Sequence, residues 1–136
     1  MFDTIQKNFI NGGKKRKVRL VATGALTDVA VLLILFPEVV DMLQEIVLMG
    51  GCLGIGNTGP VVEFNIQTDP EAARVVFESG APVTMVPLEV THTALATPEV
   101  LERINNIQPG HPFLELIVET QSELSAGQLS SPASLV

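Results

Sequence analysis

Three side chains close together, Asn57, Glu63 and Asn65, have the types and spacing to do chemistry. They stand in an otherwise apolar, glycine-rich stretch, G-G-C-L-G-I-G-N-T-G-P-V-V-E-F-N, residues 50–65. Two amides and a carboxylate offer donors and acceptors suited to the hydroxyls of a polyhydroxylated ligand. The plainer reading is that loops between strands and helices are often rich in glycine, and that an Asn or Glu on one is simply solvated. Spacing by itself leaves both readings open.

The elements that must position these residues follow from the apolar pattern. Ile46 to Met49 is an apolar run suited to a buried strand, and it breaks at Gly50-Gly51, where the backbone can turn sharply and come close to a ligand. Upstream, Phe2, Ile5, Phe9 and Ile10 recur at helical spacing and predict a short helix over residues 1–11, ended by Asn11-Gly12-Gly13. Val18 to Thr23 reads as a strand, and Thr27 as the N-cap of a helix carrying Asp28 in its first turn and Val29 to Leu35 beyond. Pro37 starts a further helical turn.

Downstream, Thr68-Asp69-Pro70-Glu71 is a strong helix start, and Gly80 is a stop. Pro82 to Leu88 predicts a third strand, Thr97-Pro98-Glu99 another helix ending near Asn105-Asn106, residues 112–124 a last helix, and residues 125–136 a polar tail. Strand, helix, strand, helix, strand is the pattern of a parallel α/β sheet, in which ligands bind beyond the carboxyl ends of the strands. Those ends are Thr23, Met49 and Leu88 to His92, all on one rim.

Composition narrows the function classes. The 136 residues are 46% hydrophobic with no Trp or Tyr, the profile of an α/β interior with little polar cover, so the chain is expected to be a piece of something larger. Residues 1–19 hold six of the eight basic side chains and one acid, whereas residues 20–136 hold two basic and fourteen acidic ones. So acidic a body is a poor nucleic-acid binder. Lys14-Lys15-Arg16-Lys17 resembles a nuclear-import patch but is read as a solvated turn leading into the next strand. Cys52, the only cysteine, excludes an internal disulfide and is read as a small residue in a tight corner. Val29 to Phe36 is too short an apolar run to span a bilayer, and no signal-peptide pattern is seen. The expectation is a cytoplasmic protein with neither membrane nor nucleic acid as partner.

Six blocks in order, V-A-T-G-A-L-T-D-V-A (21–30), I-V-L-M-G-G (46–51), G-N (56–57), E-F-N-I (63–66), D-P-E-A-A (69–73) and V-T-M-V-P-L-E-V-T-H (83–92), resemble the inosine-uridine preferring nucleoside hydrolase family over roughly residues 18 to 104. The resemblance implies an incomplete nucleoside hydrolase fold, a parallel Rossmann-like sheet with flanking helices. It divides the chain into an N-terminal helix and basic turn (1–17), the central part of the domain (18–111) and a divergent C-terminal helix and tail (112–136). The implied activity is hydrolysis of the N-glycosidic bond of purine or pyrimidine nucleosides to ribose and free base, in dimers or tetramers. By the same resemblance, the Thr23 carbonyl is a Ca²⁺ ligand, Met49 packs beside the ribose, and Asn57, Glu63 and Asn65 hydrogen-bond its hydroxyls. Oxygens around the sugar would stabilise the oxocarbenium charge that grows as the base departs, and a calcium-bound water deprotonated by an aspartate would supply the nucleophile.

The departures are equally informative. The family's Asp-x-Asp-Pro-Gly-x-Asp-Asp motif, which supplies calcium ligands and the general base, is absent, and Asp69-Pro70 belongs to a helix start. No His-Asp dipeptide occurs. His92 reads as a structural histidine, His111 as a loop residue, and Asp28, where the family usually has Asn, as a capping variant. The expectation is therefore a truncated form with no catalytic residue of its own, inactive and without Ca²⁺ when alone, since calcium takes six to eight oxygens. The alternative is a non-catalytic relative that binds nucleosides or hetero-oligomerises. Exposed sheet edges and apolar helix faces would make such a piece prone to aggregation.

Overall fold

The computed structural model describes residues 1–11, 14–95 and 97–107. These fall into two compact units, residues 1–91 and the residues from His92 onward. The predicted C-terminal helix and tail, and His111, lie outside the described residues.

The first unit opens with helix α1 (Phe2–Phe9), which buries Ile5 and stacks Phe2 on Phe36, with ring centroids 4.1 Å apart. The helix stops earlier than residues 1–11 suggested. Ile10–Asn11 (β1) pairs antiparallel with Lys14–Lys15 (β2), so part of the basic run is strand where a solvated turn was expected. Asn-Gly is a hairpin signal as well as a helix stop, and here pairing wins. Lys15, Arg16 and Lys17 remain exposed, with the Lys15 ammonium 5.9 Å from the centre of the Phe9 ring.

The sheet that carries the site has three parallel strands: β3 (Val18–Ala22), β4 (Leu43–Met49) and, pairing on the far side of β4, β5 (Val83–Val86). Between β3 and β4 lie α2 (Thr27–Leu35) and the single turn α3 (Val39–Met42); between β4 and β5 lie α4 (Phe64–Thr68) and α5 (Pro70–Phe77). In-register residues of neighbouring strands share a face. Leu20, Ile46 and Val83, and then Ala22, Leu48 and Met85, pack with α2 and α5 residues such as Leu32, Leu33, Ala73 and Val76 into one core. Ile46, Leu48 and Val76 are wholly buried there.

Helix α2 is apolar all round. Val29, Ala30, Leu32 and Leu33 are buried, while Ile34 and Leu35 on its outer side stay 62% and 64% exposed. A helix without a polar face belongs to the interior of a larger protein. Its cap also departs from expectation. Thr27 is the first helical residue and caps nothing with its side chain. Its hydroxyl instead donates to Asp69 Oδ2 at 2.6 Å, tying the start of α2 to the start of α5.

Asp69 is the expected cap of α5, accepting from the Ala72 N–H at 2.9 Å, with Pro70 at the first helical position. Its backbone, φ −151° and ψ 80°, lies outside the helical region, which the following proline disfavours, and it separates α4 from α5. Beyond β5, which ends at Val86 and not at Leu88, the turn α6 (Leu88–Thr91) closes the first unit, where the sequence reading assigned no helix. In the second unit, α7 (Pro98–Ile107) starts as predicted, with Thr97 Oγ1 accepting from the Val100 N–H at 3.4 Å.

Two measurements check this layering. Ile46→Ala should cost about 2–5 kcal/mol in denaturant unfolding because it opens a cavity in a filled core. Ile34→Ser, on the exposed side of α2, should stay within about 0.5 kcal/mol of the parent.

Candidate functional site

The carboxyl ends of β3 and β4 meet the start of α4, and Asn65 joins them. Its side chain is 8% exposed, and its Nδ2 donates to the Met49 carbonyl at 3.1 Å, to Met49 Sδ at 3.2 Å and, at the long limit of 3.5 Å, to the Thr23 carbonyl. Two strand ends that would otherwise present bare carbonyls at the rim are thereby held by one amide.

Glu63 is buried more deeply, at 2% exposure. It is the N-cap of α4: Oε1 accepts from the Asn65 N–H at 2.8 Å, and Oε2 from the Ile66 N–H at 3.1 Å. Oε2 also accepts from the Gly51 N–H at 2.9 Å. A buried carboxylate is costly unless donors surround it, and three backbone N–H groups do so here, two of them at a helix N-terminus. The stretch expected to be loop throughout residues 57–65 therefore ends in a helical turn. Glu is not among the preferred capping residues, so this cap left no mark in the sequence.

Gly51 takes φ +78°, so the turn after β4 needs glycine, and a Cβ there would also press on Met85 Sδ at 3.0 Å. Leu88 N–H donates to its carbonyl at 3.0 Å, and Gly50 N–H to that of Val86 at 3.1 Å, which clasps the turn to the end of β5. Further along, Asn57 and Thr58 N–H both reach the Val62 carbonyl, and a Cβ on Gly56 would run into the Val62 backbone. Asn57 is half-buried, and its Oδ1 accepts from the Phe64 N–H at 2.9 Å.

Thr23, Met49, Asn57, Glu63 and Asn65 thus all belong to one hydrogen-bonded network around the start of α4. Among the described residues, Asn57 Nδ2 and Asn65 Oδ1 have no protein partner, and Glu63 Oε1 has accepted one hydrogen bond of the two its lone pairs allow. Two contributors were not foreseen. Glu89 Oε1 accepts from Leu53 and Gly54 N–H at 3.0 and 2.8 Å, fixing the tip of the glycine-rich loop. The Thr27–Asp69 bond anchors the helix that follows α4. Only the tertiary approach of α2 and α5 could have disclosed it. Cys52 is half-buried beside Gly51, and His92, expected as a structural histidine, is exposed.

A hard cation would find little here. Among the described residues, no three His, Cys, Asp or Glu side chains gather to hold a metal, and the Thr23 carbonyl faces an amide nitrogen. One carbonyl falls far short of the six to eight oxygens calcium takes, so the residues present do not fit that ion. A groove of about 540 Å³ between α1 and α2, lined by Met1, Phe2, Val31, Leu35 and Phe36 among others, contains none of the predicted site residues.

A parallel α/β layer with its polar network at the carboxyl rim of the sheet is the class of protein this geometry defines. Comparison with known proteins gives the family. The model of the inosine-uridine preferring nucleoside hydrolase matches residues 1–131, wider than the blocks between 18 and 104. A probable ribonucleoside hydrolase of Dictyostelium discoideum is 49% identical over 108 residues, 79% of this chain and 32% of that protein. The inosine-uridine preferring nucleoside hydrolase of Leishmania major is 46% identical over 100 residues, 74% of this chain and 32% of its own length. The crystal structure of the Bacillus anthracis inosine-uridine preferring nucleoside hydrolase superposes with a TM-score of 0.63 at 28% identity, covering 77% of this chain and 36% of the other. The chain belongs to the inosine-uridine preferring nucleoside hydrolase family. It spans about a third of the length of these relatives.

No helix among the described residues is long and apolar enough to cross a membrane.

Three substitutions test the network. Asn65→Leu leaves the Met49 and Thr23 carbonyls without their donor, and Glu63→Gln sets an amide group against backbone N–H donors. Each should cost about 1–3 kcal/mol in denaturant unfolding. For Thr27→Val the readout is pH. The Thr27 hydroxyl, and next the Ala72 N–H, hold the Asp69 carboxyl below its ordinary range. A carboxyl with a lowered folded value stabilises above the unfolded value, and that contribution is lost as pH falls through the folded one. Carboxyl NMR titration should show Asp69 moving up toward the ordinary range in Thr27→Val, so that less stability is lost to acid and the loss is complete at a higher pH. An unmoved Asp69 would contradict the assignment.

Proposed function

We propose that this chain furnishes the sugar-facing wall of a nucleoside N-ribohydrolase, which cleaves the N-glycosidic bond of purine or pyrimidine nucleosides to ribose and base. The observation that carries the reading is the set of unspent polar atoms at the rim, Asn57 Nδ2, Asn65 Oδ1 and the remaining Glu63 Oε1 lone pair, on a network that fixes each side chain. These atoms are of the kind that grips ribose hydroxyls, one donor beside two acceptors. Grip on hydroxyls that do not react holds the sugar in a strained pucker, and binding energy used in this way lowers the barrier. Carbonyl and carboxylate oxygens beside the ring favour the positive charge that grows on it in the transition state. Met49, part-exposed at the end of β4, offers its thioether as the apolar flank of the sugar.

Protonation of the departing base and generation of the nucleophile require groups that the described residues do not gather, so we assign no catalytic residue here. The purified chain should bind ribose or a nucleoside at millimolar concentration in calorimetry, with Asn57→Ala weakening it by about tenfold, near the energy of one or two hydrogen bonds. It should release no base from uridine or inosine above a buffer control. Turnover would show a catalytic group in this chain that the reading lacks, and absence of any sugar binding would remove the reading itself.

A further inference from the structure

The stretch from Gly51 to Asn57 joins two members of the rim network and is weakly held by its own residues. At one end Gly51 N–H donates to Glu63, and at the other Asn57 Oδ1 accepts from Phe64 N–H. Between them Leu53 and Ile55 are 80% and 81% exposed, so little apolar burial fixes this part of the chain. Among the described residues, the hydrogen bonds made by residues 52–55 are those from Leu53 and Gly54 N–H, at 3.0 and 2.8 Å, and both end on Glu89 Oε1. A segment this rich in glycine has many backbone states open to it once such an anchor is removed.

Glu89 reaches the loop from the turn α6. Just before it, Leu88 N–H donates to the Gly51 carbonyl at 3.0 Å. The turn therefore braces the loop at two points, backbone to backbone at Gly51 and side chain to backbone at Leu53 and Gly54. A single carboxylate oxygen that accepts from two successive N–H groups fixes the orientation of the peptide unit between them, and both bonds are charge-assisted. A Cβ on Gly54 would stand 3.4 Å from that oxygen, so the carboxylate comes up against the backbone itself. From Gly54 only Ile55 and Gly56 intervene before Asn57. Gly56 N–H donates to the Pro60 carbonyl and Asn57 N–H to that of Val62, which closes residues 56–62 into a tight turn that follows wherever the loop places it.

We propose that Glu89 is a positioning residue of the sugar site: by holding Leu53 and Gly54 on α6, its carboxylate sets where the 56–62 turn stands, and so where Asn57 Nδ2 meets a ribose hydroxyl. It acts through Asn57 and not by touching the sugar. Without the brace the loop keeps the binding arrangement for only a fraction of the time, and apparent affinity falls by that fraction. Ordering postponed until the ligand arrives weakens a complex even though every contact to the ligand is retained.

This inference rests on the sugar-binding reading, and its first readout needs no sugar. In the full 136-residue chain, Glu89→Ala should speed hydrogen exchange at the Leu53 and Gly54 N–H groups by about tenfold or more. It should also shift the Asn57 side-chain amide resonances while leaving the denaturant midpoint of unfolding where it was. Calorimetry should show ribose bound about five- to tenfold more weakly. Glu89→Gln, which keeps an acceptor oxygen at the same reach, should restore most of both effects. Unchanged exchange at Leu53 and Gly54, or an unmoved Asn57 amide, would overturn the proposal whether or not the parent chain binds sugar. Ribose binding that Glu89→Ala leaves intact would do the same. So would a loss of binding matched by a fall in the unfolding midpoint, since Glu89 would then merely support the fold. A parent chain that binds no ribose would remove the sugar-binding reading, and the exchange rates and Asn57 resonances would then decide whether Glu89 holds Asn57.

Discussion

The architecture of the rim depends on the burial of one carboxylate. Glu63 has almost no access to solvent, and donors from the chain itself match three of its acceptor positions. The three N–H groups that match it come from two separate places in the chain: the turn at Gly51 that ends β4, and the first turn of α4. One side chain thereby holds the end of a strand against the beginning of a helix. Asn65, placed two residues later by that same helical start, is aimed back at the carbonyls of Met49 and Thr23. The site is thus a consequence of how the chain solves the cost of one buried acid.

This arrangement leaves particular atoms for function. A cap uses up the backbone donors of the helix start, so α4 offers no free N–H groups as an anion site of its own. What remains are side-chain atoms, Asn57 Nδ2 and Asn65 Oδ1, whose partners on the other side of each amide are already fixed. Amides tethered at one end and open at the other are well prepared to meet a ligand, since little rotamer freedom is left to lose on binding. The glycine-rich loop that leads to Asn57 is likewise pinned, by Glu89 at Leu53 and Gly54 and by the Val62 carbonyl at its base.

Among the described residues the first unit is layered mainly on one face of its sheet. Its central helix α2 is apolar on the side that faces away from the core as well as the side that faces in. The chain spans about a third of the length of its family relatives.

Much of this was readable from the amino-acid order. The apolar runs placed β3, β4 and β5, Asp69-Pro70 placed the start of α5, and the alternation of strand and helix implied a parallel sheet with Thr23, Met49 and the Asn57–Asn65 stretch on one rim. These features are local, set by side-chain period and by proline and glycine stereochemistry, and so each short segment carries them by itself. The tertiary structure decided the rest. Glu63 bonded to the Gly51 turn, Thr27 bonded to Asp69 in place of capping α2, and Asn65 bridging two strand ends are contacts between segments up to forty-two residues apart. A sequence records which groups can form such bonds, and only the packing of the sheet and its helices selects the partners.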